Sequence, residues 1–288
     1  MSARRFVVAL RGLVVVAAAG AVLSGCVVSL IGAKAGETLS ASILNQSDPE
    51  LVSSGVPAYL LILDGLISQH PESPTLLAAG AQLFALYGSR FAPPERAVTL
   101  TDKARRYGRK ALCLVHEPAC EWQKLDYDQF VAALEKVDRK RIGPLYAYAV
   151  GWLANLQATS ADWTAVAELP WVQAVLERTL ELDETHEHGA VHGYLGILNS
   201  LRPPALGGKP DIARQHFERA IELSEGRDLA IKVEYARRYA RLVFDQELHD
   251  RLLTDVLNAP AEAPGFTLFN VLAKQEAQSL LATSKEYF

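Results

Sequence analysis

The chain spaces its apolar and polar positions with a helical period almost throughout, and proline and glycine interrupt the apolar runs. No stretch shows the strict alternation between turn residues that is typical of a β-hairpin. The pattern therefore predicts an all-α fold of roughly a dozen helices with short connections. The predicted helices cover residues 34–45, 56–71, 73–88, 93–114, 126–137, 144–158, 160–170, 170–182, 187–201, 210–225, 228–246, 248–258 and 267–283.

One helix pattern occurs more than once. The segment HFERAIELSEG at 216–226 resembles VLERTLELDET at 175–185, which lies 41 positions earlier. In the later copy Ala213, Phe217 and Ala220 fall on one face of the helix. The two alanines let a neighbouring helix come close, and Phe217 fills the gap between them. These three residues are therefore the predicted packing stripe of a repeated unit.

An alanine, a large residue four positions on and a second alanine three further on form a pattern typical of tetratricopeptide repeats. Those repeats have a period of 34 residues, and a loop inserted at 201–209 accounts for the longer spacing here. Chance similarity between amphipathic helices is the alternative. We expect residues 34–288 to form a single solenoid-like helical domain of degenerate tetratricopeptide-like repeats.

The N-terminus has the pattern of a bacterial lipoprotein signal. Arginines precede a short apolar run that ends in Leu-Ser-Gly-Cys at 23–26. This predicts a signal peptide at 1–25, a lipid anchor on Cys26 and a short tether over 26–33. Val27 in place of aspartate favours the outer membrane, with the body of the protein in the periplasm. The alternatives are a plain signal peptide or an N-terminal transmembrane anchor, and later runs are predicted to be unable to cross a bilayer.

Net charge excludes one class of partner. The chain carries 29 Lys+Arg and 33 Asp+Glu, a formal charge of −4, and half of it is hydrophobic. Without residues 1–25, which contain three arginines and no acid, 26 basic residues face 33 acidic ones, so the charge becomes −7. The basic face that nucleic-acid binding requires is therefore not expected.

Two cysteines follow the predicted anchor. Cys113 and Cys120 lie seven positions apart in the segment ALCLVHEPACEW. In an oxidising periplasm this spacing across a proline-containing turn predicts a disulfide. The alternatives are two reduced thiols, or a metal site with His116 that would lack a fourth ligand.

No motif predicts catalysis. His188 and His192 have the spacing of two metal ligands on one turn of a helix, but the H-E-x-x-H pattern is absent and no third ligand is specified. Packing of His192 at a close helix contact is the preferred interpretation. Gly207 and Gly208 precede a helix, where an anion could bind, but a tight turn that needs positive φ is the preferred interpretation. We expect no enzymatic activity, no cofactor and no metal.

Aromatic residues are concentrated within 26 positions of the sequence. Their rings could fill the core between stacked helices, or line a groove or pore for an apolar ligand or a partner. The candidate groove residues are Tyr146, Tyr148, Trp152, Trp163 and Trp171.

The segment from 180 to 241, LELDETHEHGAVHGYLGILNSLRPPALGGKPDIARQHFERAIELSEGRDLAIKVEYARRYAR, is the most distinctive part of the chain. It resembles the T-component of tripartite ATP-independent periplasmic (TRAP) transporters, the TatT family. The likeness extends upstream through AYAVGWLANLQ at 147–157 and downstream to the C-terminus. Its most specific part is Pro203–Gly226, with the Pro turn, the Leu-Gly-Gly sequence and the helix that follows.

The resemblance implies a lipid-anchored periplasmic helical protein. It also implies association with a P-type substrate-binding protein and self-assembly as a homo-oligomer, a ring of three. It supplies no catalytic residues. We expect a transport accessory protein that docks such a binding protein, with an apolar ligand as a further expectation. A general envelope scaffold that binds peptides or assembly factors is the alternative.

Overall fold

The computed structural model describes residues 38–288 of the protein. The chain divides into two compact units between Leu44 and Asn45. The first unit contributes a helical segment at residues 38–44, and the second contains every element described below. The predictions for residues 1–25, Cys26 and 26–33 lie outside the described residues.

The second unit consists of α-helices and short 3-10 helices, and its described residues contain no β-strand. The α-helices are α1 Pro49–Gln69, α2 Pro74–Arg90, α3 Pro94–Val115, α4 Tyr127–Leu134, α5 Ile142–Ala158, α6 Trp163–Val166, α7 Leu169–Leu182, α8 Ala190–Asn199, α9 Pro210–Leu223, α10 Leu229–Glu234, α11 Gln246–Asn258, α12 Thr267–Ala282 and α13 Ser284–Tyr287. The 3-10 helices are Glu117–Lys124, Arg139–Arg141, His186–Gly189 and Pro204–Leu206, and a π-helical turn at Tyr235–Ala240 continues α10. The all-α prediction is confirmed for this part of the chain.

Helix α1 begins earlier than the sequence pattern predicted. The Asp48 carboxylate accepts hydrogen bonds from the backbone N–H groups of Glu50 and Leu51, which is the ordinary N-cap arrangement. The helix then continues through Pro57. Burial of the stripe formed by Val52, Val56 and Leu60 offsets the backbone hydrogen bond that an internal proline removes.

The first core depends on a close crossing of α3 and α5. A Cβ added to Gly108 would lie 2.7 Å from the Cα of Tyr148. A Cβ added to Gly151 would lie 2.8 Å from the carbonyl oxygen of Ala104. Because backbone atoms cannot yield as a flexible side chain can, only glycine allows this contact at either position. The crossing brings α5 side chains against the arginine-rich side of α3.

The second core surrounds Phe217 on α9. This ring is fully buried and stacks on Tyr235, with centroids 5.0 Å apart and planes tilted by 17°. Gly196 on α8 lies directly against it, since an added Cβ would come within 2.9 Å of the Phe217 ring. Ala213 and Ala220 are also buried, so the stripe of α9 faces the interior.

The earlier copy of the pattern occupies a similar position on its own helix. On α7 the residues Val172, Leu176 and Thr179 are all buried, and α7 packs against α8. The two copies therefore bury corresponding faces. Their origin as tetratricopeptide-like repeats stays a prediction.

The helix predicted at 187–201 begins late. Glu187 and His188 have φ angles of 49° and 56°, and Gly189 has a φ of 80°, so all three are in left-handed backbone. These three residues turn the chain sharply, and Gly189 also packs closely on α9, since an added Cβ would lie 2.7 Å from the side chain of Leu223. The prediction that His188 and His192 lie one turn apart on a helix is wrong for this reason.

Replacing Phe217 with alanine should lower the free energy of unfolding by about 3–5 kcal/mol, because the cavity between Gly196 and Tyr235 cannot close fully. Leu61→Ala is the control, since Leu61 is 75% exposed and its truncation should change stability by no more than about 0.5 kcal/mol. Chemical denaturation of both variants makes the comparison. Equal stabilities for the two variants would contradict the packing described for α9.

Candidate functional site

A cavity of about 460 Å³ opens beside the α3–α5 crossing, a volume typical of small-molecule sites. Side chains from α3, α4, α5, the start of α7 and the 3-10 helix Glu117–Lys124 line it. The lining residues are Asp102, Arg105, Arg106, Arg109, Ala119, Trp122, Gln123, Phe130, Tyr148, Trp152, Glu168 and Trp171. The set combines aromatic rings with charged groups.

The aromatic rings form a continuous floor. Phe130 packs against Trp122 at a centroid distance of 5.3 Å and against Trp171 at 4.9 Å. Tyr148 lies 5.1 Å from Trp152, and Trp152 in turn lies 6.5 Å from Phe130. Distances and tilts of this kind are favourable for aromatic pairs. The rings of three helices and one 3-10 turn thus hold each other in place.

A polar cluster fixes one side of the cavity. Arg105 lies over the Trp152 ring at 4.7 Å and forms a salt bridge of 2.7 Å with Glu168. The same carboxylate oxygen accepts a 2.6 Å hydrogen bond from the indole Nε1 of Trp152. Because Glu168 binds both partners, it fixes the tryptophan and the guanidinium together at the start of α7.

Two further arginines of α3 form the exposed rim. Arg106 pairs with Asp102 one turn earlier on the same helix. Arg109 donates a hydrogen bond to the side-chain oxygen of Gln123, which is neutral. The lining therefore holds three guanidinium groups and two carboxylates, which leaves one positive charge uncompensated.

A disulfide joins two of the elements that line this cavity. Cys113 of α3 and Cys120 are bonded, with Cα atoms 4.7 Å apart. The bond ties the 3-10 helix that carries Trp122 and Gln123 to the end of α3. His116, considered above as a metal ligand, instead packs edge-to-face against Trp122 at 5.8 Å.

The structure brings together only part of the predicted aromatic group. Tyr148, Trp152 and Trp171 line the cavity. Trp163 on α6 is 85% exposed and does not line it. Tyr146 is buried elsewhere, with its ring 5.1 Å from His186. Burial raises the pKa of Tyr146 well above its ordinary value, so this residue is a core group rather than a cavity group.

Sequence reasoning missed Trp122, Phe130 and the arginines of α3. The arginines occupy positions i, i+1 and i+4 of an amphipathic helix, a pattern that equally describes a solvated face. A usable signal was present in Gly108, whose position among large side chains indicates a close helix approach. The arginines at 105, 106 and 109 flank Gly108 in the sequence, so the approach brings their charges to the rings.

The histidines form a different arrangement from the predicted one. His192 Nδ1 lies 2.8 Å from His216 Nδ1, and His192 Nε2 lies 3.2 Å from a Glu184 oxygen. Both oxygens of Glu184 also accept hydrogen bonds of 2.8 Å from Arg219, which hold the pKa of the carboxylate down to about 2. Across the described residues there is no group of three or more side chains placed to hold a metal ion.

The glycine pair before α9 forms a turn. Gly207 has a φ of 85°, and a Cβ on Gly208 would overlap the carbonyl oxygen of Arg202. The N–H of Gly208 donates to the Pro203 carbonyl, and that of Lys209 donates to the Asn199 carbonyl. Because these N–H groups are already bonded, the loop offers little to an anion.

Helix α1 presents an apolar face to solvent. Its exposed large side chains are Leu51, Tyr59, Leu61, Ile62 and Leu66. By length and composition it is the one helix among the described residues that could cross a membrane, contrary to the sequence-based exclusion. In the structure this helix packs against α3, and the Asp64 carboxylate accepts hydrogen bonds from Lys103 and Tyr107 at 2.5 and 2.6 Å. An exposed apolar face on a packed helix is typical of an association surface.

Comparison with known proteins decides the family. The family model of the TRAP transporter T-component matches residues 45–288. The chain belongs to this family. The matched segment coincides with the second compact unit, so the resemblance noted in the sequence is confirmed over the whole of that unit. A T-component is a component of a TRAP transport system, and association with such a system follows from membership.

One relative of this T-component is a protein of Treponema pallidum (strain Nichols) that carries the name "Uncharacterized protein". The two chains are 23% identical over 266 residues, which cover 84% of the present chain and 81% of the relative. The relationship therefore spans most of both proteins, and it adds no activity or ligand.

The T-component should lose stability in mild acid through its histidine pair. Burial, with a smaller effect from His192, lowers the pKa of His216 to about 4, and burial also lowers the pKa of His192. Below pH 6.5 the unfolded chain binds protons that the folded chain does not, so stability falls as the pH drops from 6.5 towards 4. The loss should be on the order of 2 kcal/mol.

Thermal unfolding between pH 7 and 5, where most carboxylates stay ionised, measures this effect. His216→Asn should flatten the pH dependence, whereas His70→Asn, at an exposed position after α1, should leave it unchanged. If the melting temperature of the His216 variant falls with pH as steeply as that of the wild type, the role assigned to the histidine pair is contradicted.

Proposed function

We propose that this T-component is a lipid-anchored periplasmic accessory protein that docks a P-type substrate-binding protein and accepts an apolar ligand in the aromatic cavity. In this proposal residues 1–25 are a signal peptide, Cys26 carries the lipid, residues 26–33 are a tether and the anchor lies in the outer membrane. Membership of the T-component family is the observation that carries the proposal. The protein acts by binding, and it works as a homo-oligomer, a ring of three.

The cavity supports the ligand part of the proposal. Four of its five rings, those of Trp122, Phe130, Tyr148 and Trp152, are buried yet border an open space. The aromatic floor offers apolar contacts to a bound molecule, whereas the charged side chains lie along one side and the rim of the cavity. A binding protein docked near the mouth would exchange such a molecule with the T-component over a short distance.

The exposed face of α1 supports the docking part. Leu51, Leu61 and Ile62 are more than half exposed, and Asp64 and Glu50 are the only charged residues in the helix. Contact with a protein surface removes this apolar area from water and is therefore favourable. The P-type substrate-binding protein is the occupant that the proposal assigns to this face.

Crosslinking in the native periplasm followed by affinity purification tests docking directly. The full-length protein should recover a P-type substrate-binding protein, and recovery should fall when Leu61 and Ile62 are both replaced with glutamine. Val98→Gln is the control, because Val98 is an exposed apolar residue on a different helix, α3. Recovery of envelope-assembly proteins in place of a binding protein would instead support the general scaffold.

Membrane fractionation of a Cys26→Ser variant tests the anchor. Without the lipid the protein should move from the membrane fraction to the released periplasmic fraction, because acyl chains supply the membrane affinity. Recovery of the binding protein by the released variant should persist. Retention of the Cys26 variant in membranes would contradict the anchor and leave docking to be judged on its own result.

A further inference from the structure

Arg109 is the charge in the cavity that the described protein does not neutralise. Arg105 is paired with Glu168 and Arg106 with Asp102. Arg109 has only the neutral Gln123 as a hydrogen-bond partner, and no described carboxylate lies within 4 Å of its nitrogen atoms. An exposed guanidinium beside an apolar cavity attracts an anion, and its planar set of donors fits a carboxylate especially well.

A second donor beside the cavity lacks an acceptor. The indole Nε1 of Trp122 is buried and has no hydrogen-bond partner among the described residues. A buried donor left in this state costs about 1–3 kcal/mol, so such groups are rare in folded proteins. Trp122 lines the same cavity as Arg109, and it neighbours Gln123 in the 3-10 helix. The unpartnered donor therefore lies in the layer of side chains that lines the cavity, not in a distant part of the core.

The rest of the lining defines the body of the ligand. The floor of Trp122, Phe130, Trp152 and Trp171 offers faces and edges of rings, and the space beside them is about 460 Å³. Neutral molecules would leave the Arg109 charge unmatched. Dianions would bring a second negative charge close to Asp102 and Glu168 without a free cation to meet it.

We propose that the cavity binds a small apolar organic acid with a single negative charge. Its carboxylate replaces Gln123 as the partner of Arg109, and its apolar body lies on the aromatic floor. This inference rests on the proposed function in one respect: it assumes that the cavity binds a ligand, and it names the chemical class of that ligand. It requires neither the docked binding protein nor the lipid anchor.

Two fluorescent probes of similar shape and different charge test the proposal on the purified protein. 1-Anilinonaphthalene-8-sulfonate (ANS) carries one negative charge, and N-phenyl-1-naphthylamine is its neutral counterpart. Arg109→Gln should weaken ANS binding on the order of ten-fold, the effect of losing one charge-assisted hydrogen bond. The same variant should change the affinity for the neutral probe by no more than about two-fold. Arg109 is exposed, so the variant should fold normally, which its melting temperature checks.

Lys110→Gln is the matched control. Lys110 is also exposed, follows Arg109 directly and does not line the cavity, so its replacement changes net charge equally. It should leave ANS binding unchanged. Equal effects of the two variants, or equal losses of both probes in Arg109→Gln, would overturn the proposal and indicate general charge attraction or binding elsewhere, such as on α1.

Displacement by unlabelled compounds tests the carboxylate itself. In the wild-type protein 2-naphthoate should displace ANS at least ten-fold better than neutral 2-naphthol, and octanoate better than octanol. The ratio of the naphthoate and octanoate concentrations that displace half of the bound ANS then shows whether the cavity prefers aromatic or aliphatic acids. No advantage of either acid over its alcohol would contradict the proposal. Because no partner protein is present, this outcome is independent of whether docking succeeds.

Discussion

The direct backbone contact between α3 and α5 is the constraint on which the candidate site depends. Gly108 contacts the backbone of α5 and Gly151 contacts that of α3. Moving the two helices apart would therefore break both contacts. This proximity allows Arg105 to lie over Trp152 and to reach Glu168 at the start of α7. Because glycine has no side chain, Gly108 and Gly151 thus determine where charged and aromatic groups meet.

A second constraint acts on the 3-10 helix Glu117–Lys124, which also lines the cavity. The disulfide of Cys113 and Cys120 holds the 3-10 helix against the end of α3, and Trp122 then packs on Phe130. Rings from separate helices are therefore fixed relative to one another before any ligand arrives. Pre-organisation of this kind favours binding because less conformational freedom is lost on association. This pre-organisation supports the ligand binding proposed above.

Most of the fold could be predicted from the sequence because proline, glycine and capping residues mark the helix ends. The site could be predicted only in part. Tyr148, Trp152 and Trp171 could be predicted because aromatic residues are concentrated in that part of the sequence. Trp122 and the arginines could not, since the helical pattern of a polar face does not indicate which other helix that face will contact. The left-handed backbone at Glu187 and His188 was likewise not predicted, because glycine is the residue that readily adopts it and the sequence pattern at these two positions indicated the start of a helix.

The melting temperature and ANS affinity of Gly151→Ala, compared with Gly65→Ala in α1, test the central claim most directly. An added Cβ at Gly151 meets backbone at 2.8 Å, whereas at Gly65 it meets nothing within 4 Å. Gly151→Ala should lose about 1–3 kcal/mol of stability together with ANS binding, and Gly65→Ala should match or exceed the wild type. Wild-type stability and ANS binding in Gly151→Ala would contradict the dependence of the site on this crossing.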